Sequence, residues 1–343
     1  MARVAVVGAT GAVGQQLLSI LAARKFPVTD LIAFASARSL GKDLQYAGRK
    51  VPCQVMKPGC FDGIDFAFFD ASDAVSKEWV PQAAASGAWT IDNSATFRMD
   101  PQVPLVVPEV NGHEIKRRQK IYAGPNCSTV QLVVALKPIH DRWRLKRVVV
   151  SSYQSVSGAG LAAIDELRLQ TGSVLSGANR VEAKAFQHQI AFNCIPQIGG
   201  FKDDAYTSEE QKIIAESRKI LGIPGLRVTA TAVRVPTLSC HGESVNIETE
   251  KPFDVVEVRR ALAGHAGIIV QDDPAKHFYP MGVTSEGSPV ESASGRDAVY
   301  VGRIRRDESL DNGLNLWIVS DNLRKGAALN AVQIGEYLVS SAR

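Results

Sequence analysis

The sequence predicts an α/β protein in which a doubly wound, mostly parallel sheet is followed by a second, α+β domain. Three observations carry this. The chain opens on a buried strand, Arg3 to Val7, a glycine turn, Gly8-Ala9-Thr10-Gly11-Ala12-Val13-Gly14, and a helical pattern in Val13, Leu17, Leu18, Leu21 and Ala22. Short apolar runs then alternate with helical periodicity, as parallel sheets require. From Lys146 onward the strands alternate apolar with polar residues, the mark of a sheet with one covered face.

Composition bounds what such a chain can do. Its 343 residues exceed one ordinary domain, and 45% apolar with 22% charged residues is normal for a globular protein. A formal charge of +4, without a dense basic block, points to small anionic ligands and away from nucleic acid. The five cysteines, at 53, 60, 127, 194 and 240, are odd in number and form no CxxC pair. Neither a disulfide framework nor a metal site is expected, and a reducing cytoplasm fits. No secretory leader or membrane-length apolar window is evident.

The glycine turn has the order and context of a dinucleotide-binding fingerprint. Glycines allow the tight turn and close approach of a pyrophosphate, while the helix N-terminus receives its charge. The next strand, Leu31 to Ala35, runs into Ser36-Ala37-Arg38-Ser39 with no acid to hold ribose hydroxyls. Arg38 suits a 2′-phosphate, so NADP is expected over NAD. A second repeat follows: strand Phe66 to Phe69, helix Val75 to Ala85 with a kink at Pro81, and strand Trp89 to Ile91. Val103 to Val107 and Ile121 to Ala123 read as further short strands.

Cys127 opens a helical run after Gly124-Pro125-Asn126. A thiol at a helix N-terminus meets unpaired N–H groups and the positive end of the dipole, which favour thiolate and can hold an oxyanion. Beyond it, strands are predicted at Arg147 to Tyr153, Arg227 to Val235, Val245 to Glu250, Val299 to Arg306 and Leu314 to Ser320. Helices are predicted at Ala162 to Gln170, Glu209 to Leu221, Val255 to Ala263 and Asp321 to Ser340. Within Arg234-Val235-Pro236-Thr237-Leu238-Ser239-Cys240-His241, the histidine beside a loop suits a proton shuttle. Cys240, on an extended segment, points away from it.

Together GATGAVG, DNSATFRMD from Asp92, PNCST from Pro125, YQSVSGAG from Tyr153, FNCIPQIG from Phe192, RVPTLSCHGESV and SDNLRKGAALNAVQI from Ser320 resemble the aspartate-semialdehyde dehydrogenase family, in order and over nearly the whole chain. The resemblance implies NADPH-dependent reduction of aspartyl β-phosphate to the semialdehyde with release of phosphate. This would feed synthesis of lysine through diaminopimelate, and of methionine, threonine and isoleucine. It implies a Rossmann-like NADP-binding domain, residues 1–127 completed by a helix over 321–343, and a catalytic and dimerisation domain, residues 128–320. A cytoplasmic homodimer or tetramer follows from the same likeness.

By motif, Cys127 is the nucleophile that forms the acyl-thioester, His241 the acid/base, and Gln154 a holder of substrate and thioester. Arg234 grips the substrate carboxylate and Glu209 its ammonium, with Glu210 as fallback. Arg98, Lys212 and Asn126 bind phosphate. Thr10, Gly11, Ala12, Val13, Arg38, Ser39, Ser157, Gly158 and Asn322 match cofactor contacts. One departure stands out: where the family carries a glycine-bearing turn near the nicotinamide, this chain reads Asp70-Ala71-Ser72-Asp73-Ala74. Other readings are the related N-acetyl-γ-glutamyl-phosphate reductase, a silent NADP-binding paralogue, and a short-chain reductase suggested by YxxxK at Tyr46 to Lys50. The last falls too early, in a glycine-containing segment.

Overall fold

A computed structural model describes residues 1–178 and 180–340; the end of the expected 321–343 segment lies outside the described residues. The chain divides between Asn126 and Cys127 into two compact units, the segment from Ala327 onward belonging to the first.

In the first unit, β1 (Ala2–Val7), α1 (Ala12–Ala23), β2 (Val28–Phe34), β3 (Asp43–Tyr46), β4 (Arg49–Gln54), β5 (Phe66–Phe69), α2 (Asp73–Ala85), β6 (Trp89–Asp92), α3 (Pro108–Asn111) and β7 (Ile121–Ala123) follow in order. The sheet runs β3-β4-β2-β1-β5-β6-β7, and all pairs are parallel except β3 with β4. Alternation along the strands sorts side chains to two faces. Val4, Val6, Phe66 and Phe68 pack with Leu17, Ile20 and Leu21 of α1 and with Val332, Ile334 and Leu338 of the C-terminal helix Leu329–Ser340. Ala5, Val7, Ala67 and Phe69 pack with Val80 and Ala83 of α2. Each such large apolar side chain contributes about 1.5–3 kcal/mol on full burial.

The second unit holds α4 (Cys127–Trp143), β8 (Leu145–Gln154), α5 (Leu161–Leu175), α6 (Ser208–Leu221), β9 (Arg227–Arg234), β10 (His241–Thr249), α7 (Val255–Ala263), β11 (Ile268–Val270), β12 (Val299–Asp307) and β13 (Gly313–Ser320). Its sheet runs β11-β12-β13-β10-β8-β9, mixed in direction. Helices α4, α6 and α7 pack together and against the sheet. Tyr153 remains about 40% exposed, its ring against Trp317.

Several elements differ from the sequence reading. Val103 to Val107 is not a strand: only Leu105 bridges to Ala123, because Pro104 and Pro108 supply no N–H to a ladder. Tyr46 to Lys50 spans the turn of the β3–β4 hairpin, where Ala47 and Gly48 both take positive φ. The helix α2 contains Pro81 and ends at Ala85 as expected, but starts two residues earlier, at Asp73. Strand β10 starts at His241, four residues earlier than the apolar run suggests, and α5 extends to Leu175. The helix expected from Asp321 is split. The Asp321 carboxylate accepts from the Leu323 and Arg324 N–H groups, a π-helical turn occupies Arg324–Ala328, and the α-helix begins at Leu329.

Candidate active site

Strand register assembles the centre of the second unit. His241 on β10 lies opposite Gln154 on β8 and Ser320 on β13, and Gln154 lies opposite Arg234 on β9. Residues directly opposite in a sheet point to the same face, so four strand ends present Ser320, His241, Gln154 and Arg234 as one row. All four are buried, as Asn322 and Ser157 are.

Cys127 is the first residue of α4, and its Sγ lies 3.2 Å from His241 Nε2. The other ring nitrogen, Nδ1, accepts the Ser155 backbone N–H at 3.1 Å, with the Ser155 hydroxyl at 3.3 Å. A peptide N–H can only donate, so Nδ1 carries no proton and the neutral ring bears its hydrogen on Nε2, facing sulfur. Burial pushes the His241 pKa down to about 3, helped by the Arg234 charge. The imidazole is therefore a neutral donor to the sulfur. Cys240 is no rival: it takes φ +69° rather than the extended form, its sulfur packs toward the Gly282 carbonyl, and burial pushes its pKa up to about 12.

Arg234 donates from Nη1 to the Ser155 carbonyl at 2.7 Å. Desolvation lowers its pKa, while Cys127 and Glu209 act in the opposite sense. A Cβ at Gly158 would stand 3.0 Å from Arg234 Nη1 and 3.3 Å from His241 Nε2, so a side chain there would press on both groups. Glu209 is buried and pairs with Lys212 at 3.7 Å. Glu210 is committed elsewhere: its carboxylate accepts from the Thr207 and Ala232 N–H groups, closing a capping box on α6. Asn322 accepts from the Cys240 N–H and the Ser155 hydroxyl and donates to Ser157. Ser155 and Asn322 thus tie the loop after β8 to the start of β10. The part played by Ser155 was invisible in the sequence because its key group is a backbone N–H.

In the first unit Thr10, Gly11, Ala12 and Val13 form the turn into α1. Gly8 has φ +81°, and a Cβ there would stand 1.9 Å from the Asp70 carbonyl oxygen. Asp70 thus closes directly on the glycine turn, and burial raises its carboxyl to about 6, with an Asn93 hydrogen bond opposing, Asp92 adding and Arg98 opposing. No acidic residue and no side-chain cap occupies the first turn of α1, which leaves its N-terminus suited to a diphosphate. Arg38 is exposed and Ser39 half-buried in the turn after β2. Arg98 is buried and donates from Nη2 to the Asn93 carbonyl at 2.6 Å; Asn126 is buried at the end of the unit. Among the described residues no cluster of metal-ligating side chains occurs and no helix is long and apolar enough to cross a membrane.

A parallel sheet with a diphosphate-ready glycine turn, joined to a unit that presents a thiol to an imidazole, places the chain among nicotinamide-dependent dehydrogenases. Comparison with known proteins narrows this. The family described as semialdehyde dehydrogenase matches through its NAD binding domain over residues 3–118 and its dimerisation domain over residues 136–325. The chain is 49% identical over 340 residues to the aspartate-semialdehyde dehydrogenase of Aquifex aeolicus, covering 98% of both, and 46% identical over 342 residues to that of Bacillus subtilis, covering 98% of this chain and 96% of the relative. The crystal structure of aspartate semialdehyde dehydrogenase II from Vibrio cholerae, complexed with ASA, superposes with a TM-score of 0.93 at 45% identity over 99% of this chain and 98% of that one. The chain belongs to the aspartate-semialdehyde dehydrogenase family.

The low His241 pKa has a consequence in pH dependence. The folded ring stays neutral where an unfolded histidine, with its ordinary pKa near 6.5, gains a proton, so this residue adds stability that is lost as pH falls below about 6.5. The His241 ring resonances should show no titration between pH 5 and 9 in NMR spectra of the full chain. A midpoint near 6.5 would contradict the assignment.

Proposed function

We propose that this chain reduces L-aspartyl 4-phosphate to L-aspartate 4-semialdehyde, releasing inorganic phosphate, with NADPH as reductant and Cys127 as acyl carrier. The observation that carries the reading is the 3.2 Å approach of the Cys127 sulfur to the donor end of a neutral His241 ring. The sulfur attacks the acyl carbon, the C–S bond forms, the C–O bond to phosphate then breaks and phosphate leaves, and the thioester left behind accepts a hydride far more readily than a carboxylate would. His241 Nε2–H donates first to the thiolate and then to the oxygen that becomes negative in each tetrahedral intermediate. The dinucleotide supplies the hydride when bound. Collapse of the reduced adduct releases the aldehyde and restores the thiolate.

Arg234 suits the substrate carboxylate by paired hydrogen bonds, and Gln154, next in the row, holds substrate and thioester. Glu209 takes the substrate ammonium, a role supported by the commitment of Glu210 to its cap. Lys212, Arg98 and Asn126 serve phosphate. Ser157, Gly158 and Asn322, with Thr10, Gly11, Ala12, Val13, Arg38 and Ser39, serve the cofactor. In this reading the first unit is the NADP-binding domain and the second the catalytic and dimerisation domain. The half-exposed outer sheet face around Tyr153 and Trp317 is where copies of the chain associate, as a homodimer or a dimer of dimers. The enzyme works in the cytoplasm, upstream of lysine, methionine, threonine and isoleucine.

Three outcomes test this. Cys127→Ala should abolish turnover, by at least about a thousandfold, and leave NADPH binding unchanged by fluorescence titration; mass spectrometry of substrate-trapped wild type should find the acyl group on Cys127, and residual reductase activity in the variant would sink the assignment. Arg38→Ala should cut the preference for NADPH over NADH by roughly tenfold or more, read as the ratio of kcat/KM values, whereas an unchanged ratio would refute NADP selection by this residue. Asp70 ionises as pH rises through about 6, placing negative charge against the glycine turn. In calorimetric titrations NADPH should therefore bind Asp70→Asn and wild type about equally at pH 5, and the variant roughly threefold or more tightly at pH 8; a ratio independent of pH would overturn this.

A further inference from the structure

Beneath the thiol–imidazole pair lies a buried polar layer that the chemistry above does not use. Glu243 stands two residues past His241 on β10, hence on the same face, opposite Ser152 on β8 and Ile318 on β13. Gln131 stands four residues past Cys127 on α4, hence one turn below it on the same side of the helix. Both side chains are fully buried. The Ser320 hydroxyl, from the residue opposite His241, donates to Gln131 Oε1 at 2.6 Å. The helix that carries the sulfur is thus fastened, one turn below it, to the strand row that carries the imidazole.

Glu243 is the unusual member. Glu166 accepts the N–H groups of Lys184 and Ala185, Glu210 those of Thr207 and Ala232, and Asp92 the hydroxyls of Ser76 and Ser94. Neither oxygen of Glu243 has a hydrogen-bond partner among the described residues, and the same holds for Gln131 Nε2. The Gln131 amide is near enough to favour a charge on Glu243 but is not in hydrogen-bonding geometry, and burial outweighs it, raising the Glu243 pKa well above the ordinary carboxylate range.

We propose that Glu243, Gln131 and Ser320 form a buried clamp that sets the distance between Cys127 and His241, with Glu243 as a positioning residue for the reaction. The proposal rests on the reading of Cys127 as the nucleophile. Glu243 acts as an uncharged acid. An ionised carboxylate at this depth without a donor would cost several kcal/mol, whereas the acid form can give its O–H to, and accept from, a small reorientation of the Gln131 amide. On its other side Cys127 is hemmed in by the turn at Gly326, where a Cβ would stand 2.9 Å from the cysteine Cβ. The first turn of α4 therefore has little room to shift, and the clamp decides where within that room the sulfur sits.

The test uses the full chain with Glu243→Gln, Glu243→Leu and Gln131→Met. Turnover is measured alongside the pH dependence of iodoacetamide alkylation of Cys127, followed at the peptide level. Glu243→Gln, uncharged and able to hydrogen-bond, should keep kcat within about threefold of wild type. Glu243→Leu and Gln131→Met should lose roughly ten- to a hundredfold in kcat, with KM for NADPH unchanged, a shifted alkylation profile and melting temperatures within a few degrees of wild type. The double variant should be no worse than the poorer single one. Wild-type turnover and alkylation in both Glu243→Leu and Gln131→Met would overturn the clamp, as would Glu243→Gln being as impaired as Glu243→Leu. Should Glu243→Leu not fold, Gln131→Met carries the test. Wild-type Cys127 that alkylates no faster than the exposed Cys194 would count against the nucleophile itself, a result read before any variant is compared.

Discussion

The Ser155 backbone N–H donated to His241 Nδ1 is the constraint on which the second unit depends. It settles which ring nitrogen holds the proton, and so which chemistry the ring can offer sulfur. The same residue's carbonyl receives Arg234, whose charge in turn makes a second proton on the ring unfavourable. One residue therefore orients both the donor and the cation, through main-chain groups that any residue other than proline would supply. The result is a pair in which sulfur faces an N–H rather than a free lone pair, a geometry suited to steadying negative charge on sulfur or oxygen throughout a reaction.

Register converts sequence separation into proximity. Gln154, Arg234, His241 and Ser320 lie far apart in the chain, yet in-register pairing of β13, β10, β8 and β9 lays them side by side. A slip of one residue in any of these ladders would turn its member to the opposite face of the sheet. The apolar residues further along β10, Val245 and Ile247, are buried and paired with Val150 and Val148 and with Leu316 and Leu314. Core packing along the strands thus enforces the alignment of the polar row at their ends.

What was legible in the sequence was what is local. The glycine turn and the placement of Cys127 at a helix start follow from residues within one or two turns of each other, and both hold. The strands of the second sheet were recognisable, but their polar ends were not. His241 and Glu243 interrupt the apolar pattern of β10, so the strand was read as beginning at Val245. The expectation of an extended segment at Cys240 is corrected by its left-handed backbone. The hairpin at Asp43–Gln54 leaves little mark because its strands are mostly polar, and the strand at Ile268–Val270, though apolar, is only three residues long. Neither the Ser155 N–H nor the burial of Glu243 leaves any mark in composition or spacing.

The uncharged state of Glu243 bears on the electrostatics of the whole site. Arg234, whose charge interacts with Cys127, and the N-terminus of α4 supply positive potential beside the sulfur. A charged carboxylate on β10, two residues past His241 on the same face, would oppose that potential in surroundings of low dielectric, where it is weakly screened. Burial without donors removes the difficulty at its source: it makes ionisation of Glu243 unfavourable, so a residue that would otherwise compete with the sulfur for positive potential contributes only its hydrogen-bonding shape. The two buried titratable groups of β10, His241 and Glu243, are thus both held uncharged by the same desolvation, which leaves the positive potential around the sulfur to act on the sulfur itself.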